Sequence, residues 1–357
     1  IEDAQNLHFK QAIKKISKIT KSKAGSVTKA KALSLHGAIL ISLKQFDKAV
    51  SVLKRALALN PGDQIVLTHL SSCHREEGNL ETSISLAREA VSLGPQHFQA
   101  NMELALTLMT KRHFDEAIKY FVACSEIDAT QLDPYLNLGD IHLKEGRPHQ
   151  AIKAYEAALR IDNQLPLTLL NRGNAYHDIG ENQKSINSYL EALVIDPHQA
   201  KAYFNLGVVF DDSGQYKKAI DSYGKALKIE PNYIDALYNQ AITLKTVGEF
   251  SKSESNLRKC LEANSNHQDA INALAIVLLK KGDVESSIEF CDERLALQPN
   301  DAFTLNNLGL AHKQNGDLDK AKDAFYSALE NNPLFAEAHC NLSTINVVST
   351  DAKIVEL

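Results

Sequence analysis

The chain has 357 residues, 23% of them charged, and a formal net charge of −5. The length exceeds what one ordinary globular core supports, and the balanced charge argues against a nucleic-acid partner for the chain as a whole. Five cysteines, odd in number and with no C-x-x-C pair, argue against a disulfide framework or a thiolate zinc site and point to a reducing, cytoplasmic compartment.

Residues 1–29 form a basic flank, with seven lysines against Glu2 and Asp3. Within it, Gln5 to Ile19 reads as an amphipathic helix with Phe9, Ile13 and Ile16 on one face, followed by a Lys/Ser/Gly linker to Lys29. The chain begins at Ile1 rather than Met, which reads as a fragment or processed product.

From Ala30, nine windows of 34 residues run without insertion to Phe335, beginning at Ala30, Gln64, Phe98, Leu132, Pro166, Ala200, Ile234, Gln268 and Ala302. A fixed period of this length is the signature of a solenoid. Each window predicts two helices separated by a turn, at Gly78, Gly146, Gly180, Gly214, Gly248, Gly282 and Gly316 in seven of the nine. Lys44 and Arg112 replace that glycine in the other two, and each precedes an aromatic and an aspartate able to start the second helix.

Small residues recur at the eighth position (Gly37, Gly139, Gly173, Gly207, Gly309), the twentieth (Ala49, Ala117, Ala151, Ala219, Ala321) and the twenty-seventh (Ala56, Ala90, Ala158, Ala192, Ala226, Ala328), where helices must approach closely. Cys124 and Cys260 stand at the twenty-seventh position as packing residues. Phe121, Tyr155, Tyr189, Tyr223 and Phe325 fill the space between, and prolines at 61, 95, 197, 231, 299 and 333 end the second helices. Residues 336–357 read as a partial tenth repeat and a truncated capping or connecting helix, with Ser349-Thr-Asp351 capping its last part.

These marks resemble the tetratricopeptide repeat family, whose L-G, Y, A, F and P positions occur here at the family spacing over residues 30–346. The resemblance implies an all-α fold, a right-handed α-solenoid of helix-turn-helix repeats. The family's first-helix tryptophan is absent, replaced by residues such as Leu33, Tyr135, Tyr203 and Leu305. Arg172 and Gln240 stand in place of leucine, and Arg294 occupies a small-residue position, which predicts a looser junction before Ala302.

The sixth position carries the most suggestive chemistry. Asn137, Asn171, Asn205, Asn239, Asn307 and Asn341 occupy it, and Ala273 interrupts the series. An amide offers both donor and acceptor, so a row of them suits a peptide backbone; the alternative is that each asparagine supports its own helix or a neighbour. The nearest family parallel is the repeat region of the O-linked N-acetylglucosamine transferase, and this resemblance implies binding of an extended peptide along a groove. Asp140, Asp178, Asp211 and Asp212, near Asn174 and His177, are further candidates for that groove, although Asp211 and Asp212 precede Gly214 and suit a turn role. No fifth position is basic, so the family's clamp for acidic tails is not expected.

No P-loop, G-x-S-x-G, H-E-x-x-H or EF-hand spacing occurs, so neither catalysis nor a cofactor is expected. The pairs His69/His74 and His142/His149 have loose spacings that read as wall or surface histidines rather than metal ligands. The longest aliphatic run, Ala273 to Leu279, is too short to span a bilayer, so no membrane partner is expected. The sequence thus reads as a non-enzymatic scaffold binding a protein or peptide segment. The alternatives are a substrate-recruiting arm of a larger glycosyltransferase, sulfotransferase or oxygenase, and an array self-associating through exposed terminal repeats.

Overall fold

The computed structural model describes residues 2–355, with side chains described for 11–345, so the side chain of Phe9 and all of Leu357 lie outside the described residues. Among these residues every regular element is an α-helix. They form two compact units that divide between Ile179 and Gly180.

In the first unit α1 (Glu2–Lys21) precedes the helix pairs of repeats one to four. These are α2 (Ser26–Ser42) with α3 (Phe46–Leu59), α4 (Gln64–Glu76) with α5 (Leu80–Leu93), α6 (Phe98–Thr110) with α7 (Phe114–Ile127), and α8 (Asp133–Lys144) with α9 (Pro148–Ile161); α10 (Pro166–Asp178) closes the unit. In the second, α11 (Asn182–Ile195) is followed by α12 (Ala200–Asp212) with α13 (Tyr216–Ile229) and α14 (Ile234–Thr246) with α15 (Phe250–Ala263). Then come α16 (Gln268–Lys281) with α17 (Val284–Leu297), α18 (Ala302–Asn315) with α19 (Leu318–Asn331), and α20 (Ala336–Val355).

The flanks differ from the sequence expectation. α1 is longer at both ends than residues 5–19, and α2 starts at Ser26, which shortens the linker to residues 22–25. Ile16 is buried against Ala32 and Ile39, so α1 docks on α2 rather than standing apart. At the other end α20 runs unbroken to Val355 because no glycine or proline interrupts residues 346–355, and Ser349 is an interior helical position rather than a cap.

In eight of the repeats the turn is closed by the same backbone bond, in which the N–H at position sixteen reaches back to the carbonyl at position eleven: Asn79 to His74 (2.8 Å), Arg147 to His142 (2.8 Å), Gln215 to Phe210 (2.8 Å). The residue between must be left-handed, and glycine adopts that conformation without a Cβ penalty. Lys44 (φ 55°) and Arg112 (φ 64°) adopt it nevertheless, keeping the bonds Gln45 to Leu40 and His113 to Leu108.

In repeats six and nine, glycine at position eight makes room for an aromatic ring at position twenty-four. A Cβ on Gly207 would lie 2.6 Å from the Tyr223 ring, and one on Gly309 would lie 2.5 Å from the Phe325 ring. Both rings are essentially fully buried. Where position eight is Ala241, position twenty-four is the smaller Leu257. Serine at position twenty adds a tie that alanine lacks: Ser253 Oγ donates to Ala241 O (2.7 Å) and Ser287 Oγ to Ala275 O (3.1 Å).

The Arg294 guanidinium donates to Ser265 O (2.7 Å), and both residues line a pocket of 340 Å³ among α15, α16 and α17.

Gly207→Val is expected to overpack repeat six and destabilise the chain by about 1–3 kcal/mol. Combining it with Tyr223→Leu, the pairing class that Ala241 and Leu257 already use, should cost less than the two single changes together; urea unfolding of the four chains gives that coupling directly.

The thiols should sort by burial. Cys73, Cys124, Cys260 and Cys291 are buried and Cys340 is exposed. Burial pushes Cys73, Cys124 and Cys291 up to about 12, which suppresses the thiolate. An aromatic disulfide reagent at pH 8 should therefore label Cys340 fast, and the other four only as the chain unfolds.

Candidate functional site

The sequence-selected asparagines all lie on first helices, and the structure shows how most of their amides are used. In the first unit, Asn137 Nδ2 donates to Asp133 O on its own helix (2.8 Å). Asn171 Nδ2 instead crosses to the preceding repeat and donates to Asp140 Oδ1 (3.2 Å). That carboxylate oxygen also accepts from the Tyr155 hydroxyl at 2.7 Å. Burial and the Asp140 carboxylate both raise the Tyr155 pKa, with Asn171 opposing them. Asp140, Asn171 and Tyr155 thus form one polar bridge between repeats four and five.

In the second unit burial is the largest cause of the raised Tyr223 pKa, and the Asn239 side chain acts against it. Asp211 Oδ1 accepts from Thr243 Oγ1 in the next repeat (2.9 Å), and Thr243 is buried. Burial raises the Asp211 pKa against the pull of that bond. The carboxylate of Asp211 therefore joins repeats six and seven, while the turn at Gly214 uses its backbone carbonyl (2.8 Å), so the turn role anticipated for the side chain is not what it performs. Asn205 and Asn174 are half-buried, Asp178 and Asp212 are exposed, and Asn307 is buried. Asn341 Nδ2 donates to Asn306 Oδ1 (3.0 Å).

Gln240, the unexpected substitute for leucine, is also explained. Its Nε2 donates to Ile220 O (2.8 Å) and its Oε1 accepts from Asn256 Nδ2 (2.7 Å), tying α14 to α13 and α15.

In the asparagine column Glu103 escaped sequence reasoning, and His69 was read only as a wall or surface histidine. Thirty-four residues before Asn137 stands Glu103, and thirty-four before that stands His69. Glu103 is buried and accepts from Arg75 Nε (2.8 Å), and His69 Nδ1 is buried without a partner. Extending the column backwards would have found both. Among the described residues no group of three or more His, Cys, Asp or Glu is placed to hold a metal, and no helix is long and apolar enough to cross a membrane.

Repeated helix pairs joined by such side-chain bridges define an α-helical repeat array. Tetratricopeptide repeat models match residues 35–98, 98–131, 200–233, 238–302 and 302–334, and a TPR repeat model matches 139–180 and 173–214, together well over half of the chain. The chain belongs to the tetratricopeptide repeat family. A search of curated proteins finds none that matches.

Among solved structures, it is similar to the C-terminal part of a TPR repeat-containing protein from Cytophaga hutchinsonii, at 18% identity and a TM-score of 0.60, over 68% of this chain and 99% of that one. That likeness shows the fold. MamA matches at 26% identity and a TM-score of 0.45, over 45% of this chain and 95% of that one. YrrB, described as a TPR protein with an unusual peptide-binding site, matches at 20% identity and 0.49, over 52% and 95%.

The bridges make a prediction about stability. Asn171→Ala should lower it by about 0.5–1.5 kcal/mol because the bond from its amide to Asp140, which joins repeats four and five, is lost. Asn137→Ala should be neutral or slightly stabilising, since alanine is the better helix former and the bond it removes returns to the same helix. Thermal unfolding of the two variants side by side checks the contrast.

Proposed function

We propose that the chain is a non-enzymatic interaction scaffold that holds an extended protein segment against its first-helix face, with asparagine amides bonding the segment's backbone. The supporting observation is Asn171. Its bond to Asp140 uses one N–H of a half-buried amide, whose chemistry comprises a second N–H and a carbonyl. That pairing of donor and acceptor matches a peptide unit irrespective of side chain, as the resemblance to the O-linked N-acetylglucosamine transferase repeats implies. Asp178 and Asp212, exposed at the ends of α10 and α12, would favour a basic or neutral segment over an acidic one, with affinity falling as salt rises. Five free thiols, four of them buried, fit a reducing, cytoplasmic setting.

The test begins with peptides selected from a random library on the full chain. Asn171→Ala and Asn239→Ala should each weaken the selected peptides by about 0.5–1.5 kcal/mol, measured well below the unfolding temperature and with helix content unchanged. A lowered melting temperature with unaltered affinity would sink the reading and leave the asparagines as structural bridges alone.

A further inference from the structure

A pocket of 330 Å³ lies between α4 and α6, the first helices of repeats two and three. That volume is at the small end for ligand sites, suited to a side chain rather than a large molecule. Ile65, Met102 and Leu106 supply its apolar wall, and His69, Ser72 and Glu103 its polar one.

The polar wall is under-neutralised. Glu103 is 7% exposed, and a carboxylate so buried is costly unless paired. Its partner, Arg75 Nε at 2.8 Å, is divided, because the same guanidinium reaches Glu76 Oε1 through Nη1 at 2.7 Å. One cation thus serves two carboxylates. Burial pushes the Glu103 carboxyl up despite Arg75, and burial lowers the His69 pKa, so that ring is neutral at pH 7. Its Nδ1 is buried without a partner.

We propose that this pocket takes the ammonium group of a lysine side chain from an extended protein segment. An ammonium carries three donors, and the pocket presents three acceptors: the Glu103 carboxylate, the neutral His69 ring and the Ser72 hydroxyl. The aliphatic stem of lysine lies along Ile65, Met102 and Leu106. A positive head balances the excess of carboxylate over guanidinium, whereas an acidic or acetylated side chain does not. A second guanidinium would bring its planar fork beside the Arg75 guanidinium, so the compact ammonium is the better fit. The pocket belongs to repeats two and three and the asparagine reading to repeats four to seven, so either stands without the other.

Two methionines occur in the chain, Met102 in the pocket wall and Met109 outside it. Full-length protein labelled with ¹³C at the methionine methyls therefore carries a reporter and an internal control. The probes are an acetylated, amidated Gly-Ser-Lys-Ser-Gly peptide and its acetyl-lysine and norleucine counterparts. The lysine peptide should shift Met102 saturably and leave Met109 in place, with the two uncharged peptides about ten- to a hundredfold weaker, the range of a charge-assisted hydrogen bond. Glu103→Gln should cost the same factor. Because that change also strands Arg75, Ser72→Ala is measured beside it, with an expected loss of about two- to tenfold. An unmoved Met102 at saturating lysine peptide, or a norleucine peptide that binds as well, overturns the proposal on the unaltered chain whether or not the variants fold.

Discussion

The close crossing of the two helices in a repeat is the contact on which the other features depend. A helix pair of this size cannot bury its apolar stripes alone, so each repeat must lay its first helix near its second and offer a flat side to its neighbour. Position eight sets the approach, and position twenty-four fills what it leaves. Gly207 meets Tyr223 and Gly309 meets Phe325, both rings buried without residual exposure to speak of. Repeat eight pairs Ala275 with Cys291, two small residues, both fully buried. A close-packed interior tolerates exchange of volume between facing positions better than a shortfall at both.

The large rings bring a polar consequence. A tyrosine buried at position twenty-four carries its hydroxyl to the first-helix face, where it must be bonded. The Tyr155 hydroxyl donates to Asp140, whose same oxygen accepts from Asn171. Phenylalanine at the same position makes no such demand. After Phe121, Asn137 turns back to its own helix at Asp133, and after Phe325, Asn341 bonds Asn306. At Asn171 the asparagine thus has a structural use, sharing with Tyr155 one oxygen of Asp140, and its amide chemistry still comprises a second N–H and a carbonyl.

The repeat boundaries, the turns and the close-packing positions were legible in the sequence because each rests on a backbone need that recurs every 34 residues. Glycine before the second helix and proline after it are read without knowing any neighbour. Lys44 and Arg112 were recognisable as departures, and the left-handed conformation they adopt follows from the shared turn. What the sequence hid were pairings between residues with no fixed offset in type. Asp211 with Thr243, and Arg75 with Glu103, are separated by nearly a full repeat, and neither residue type announces its partner. The start of α2 at Ser26 was hidden for another reason: residues 26–28, Ser-Val-Thr, carry no strong helix former to mark the start.

The same logic indicates where along the chain the sixth position is free to specialise. It follows Tyr155, Tyr189 and Tyr223 as asparagine each time, and it follows Leu257 as Ala273, where there is no hydroxyl to satisfy. Asparagine also follows Phe121, Cys291 and Phe325, as Asn137, Asn307 and Asn341, so it is not confined to positions behind a hydroxyl. Leu53 and Ala87 also lack a hydroxyl, and the column positions that follow them are His69 and Glu103, which together line one pocket. Relieved of the tyrosine's demand, those two positions hold the most perturbed ionisable groups of the column: a neutral imidazole with a buried orphan nitrogen, and a carboxylate buried behind a divided arginine. Buried polar groups left under-satisfied cost stability, and such cost is most readily explained where a ligand completes the set. Asn171 bridges repeats four and five through one N–H, and because the amide also has a second N–H and a carbonyl, a structural role and a backbone-binding role are compatible at that position.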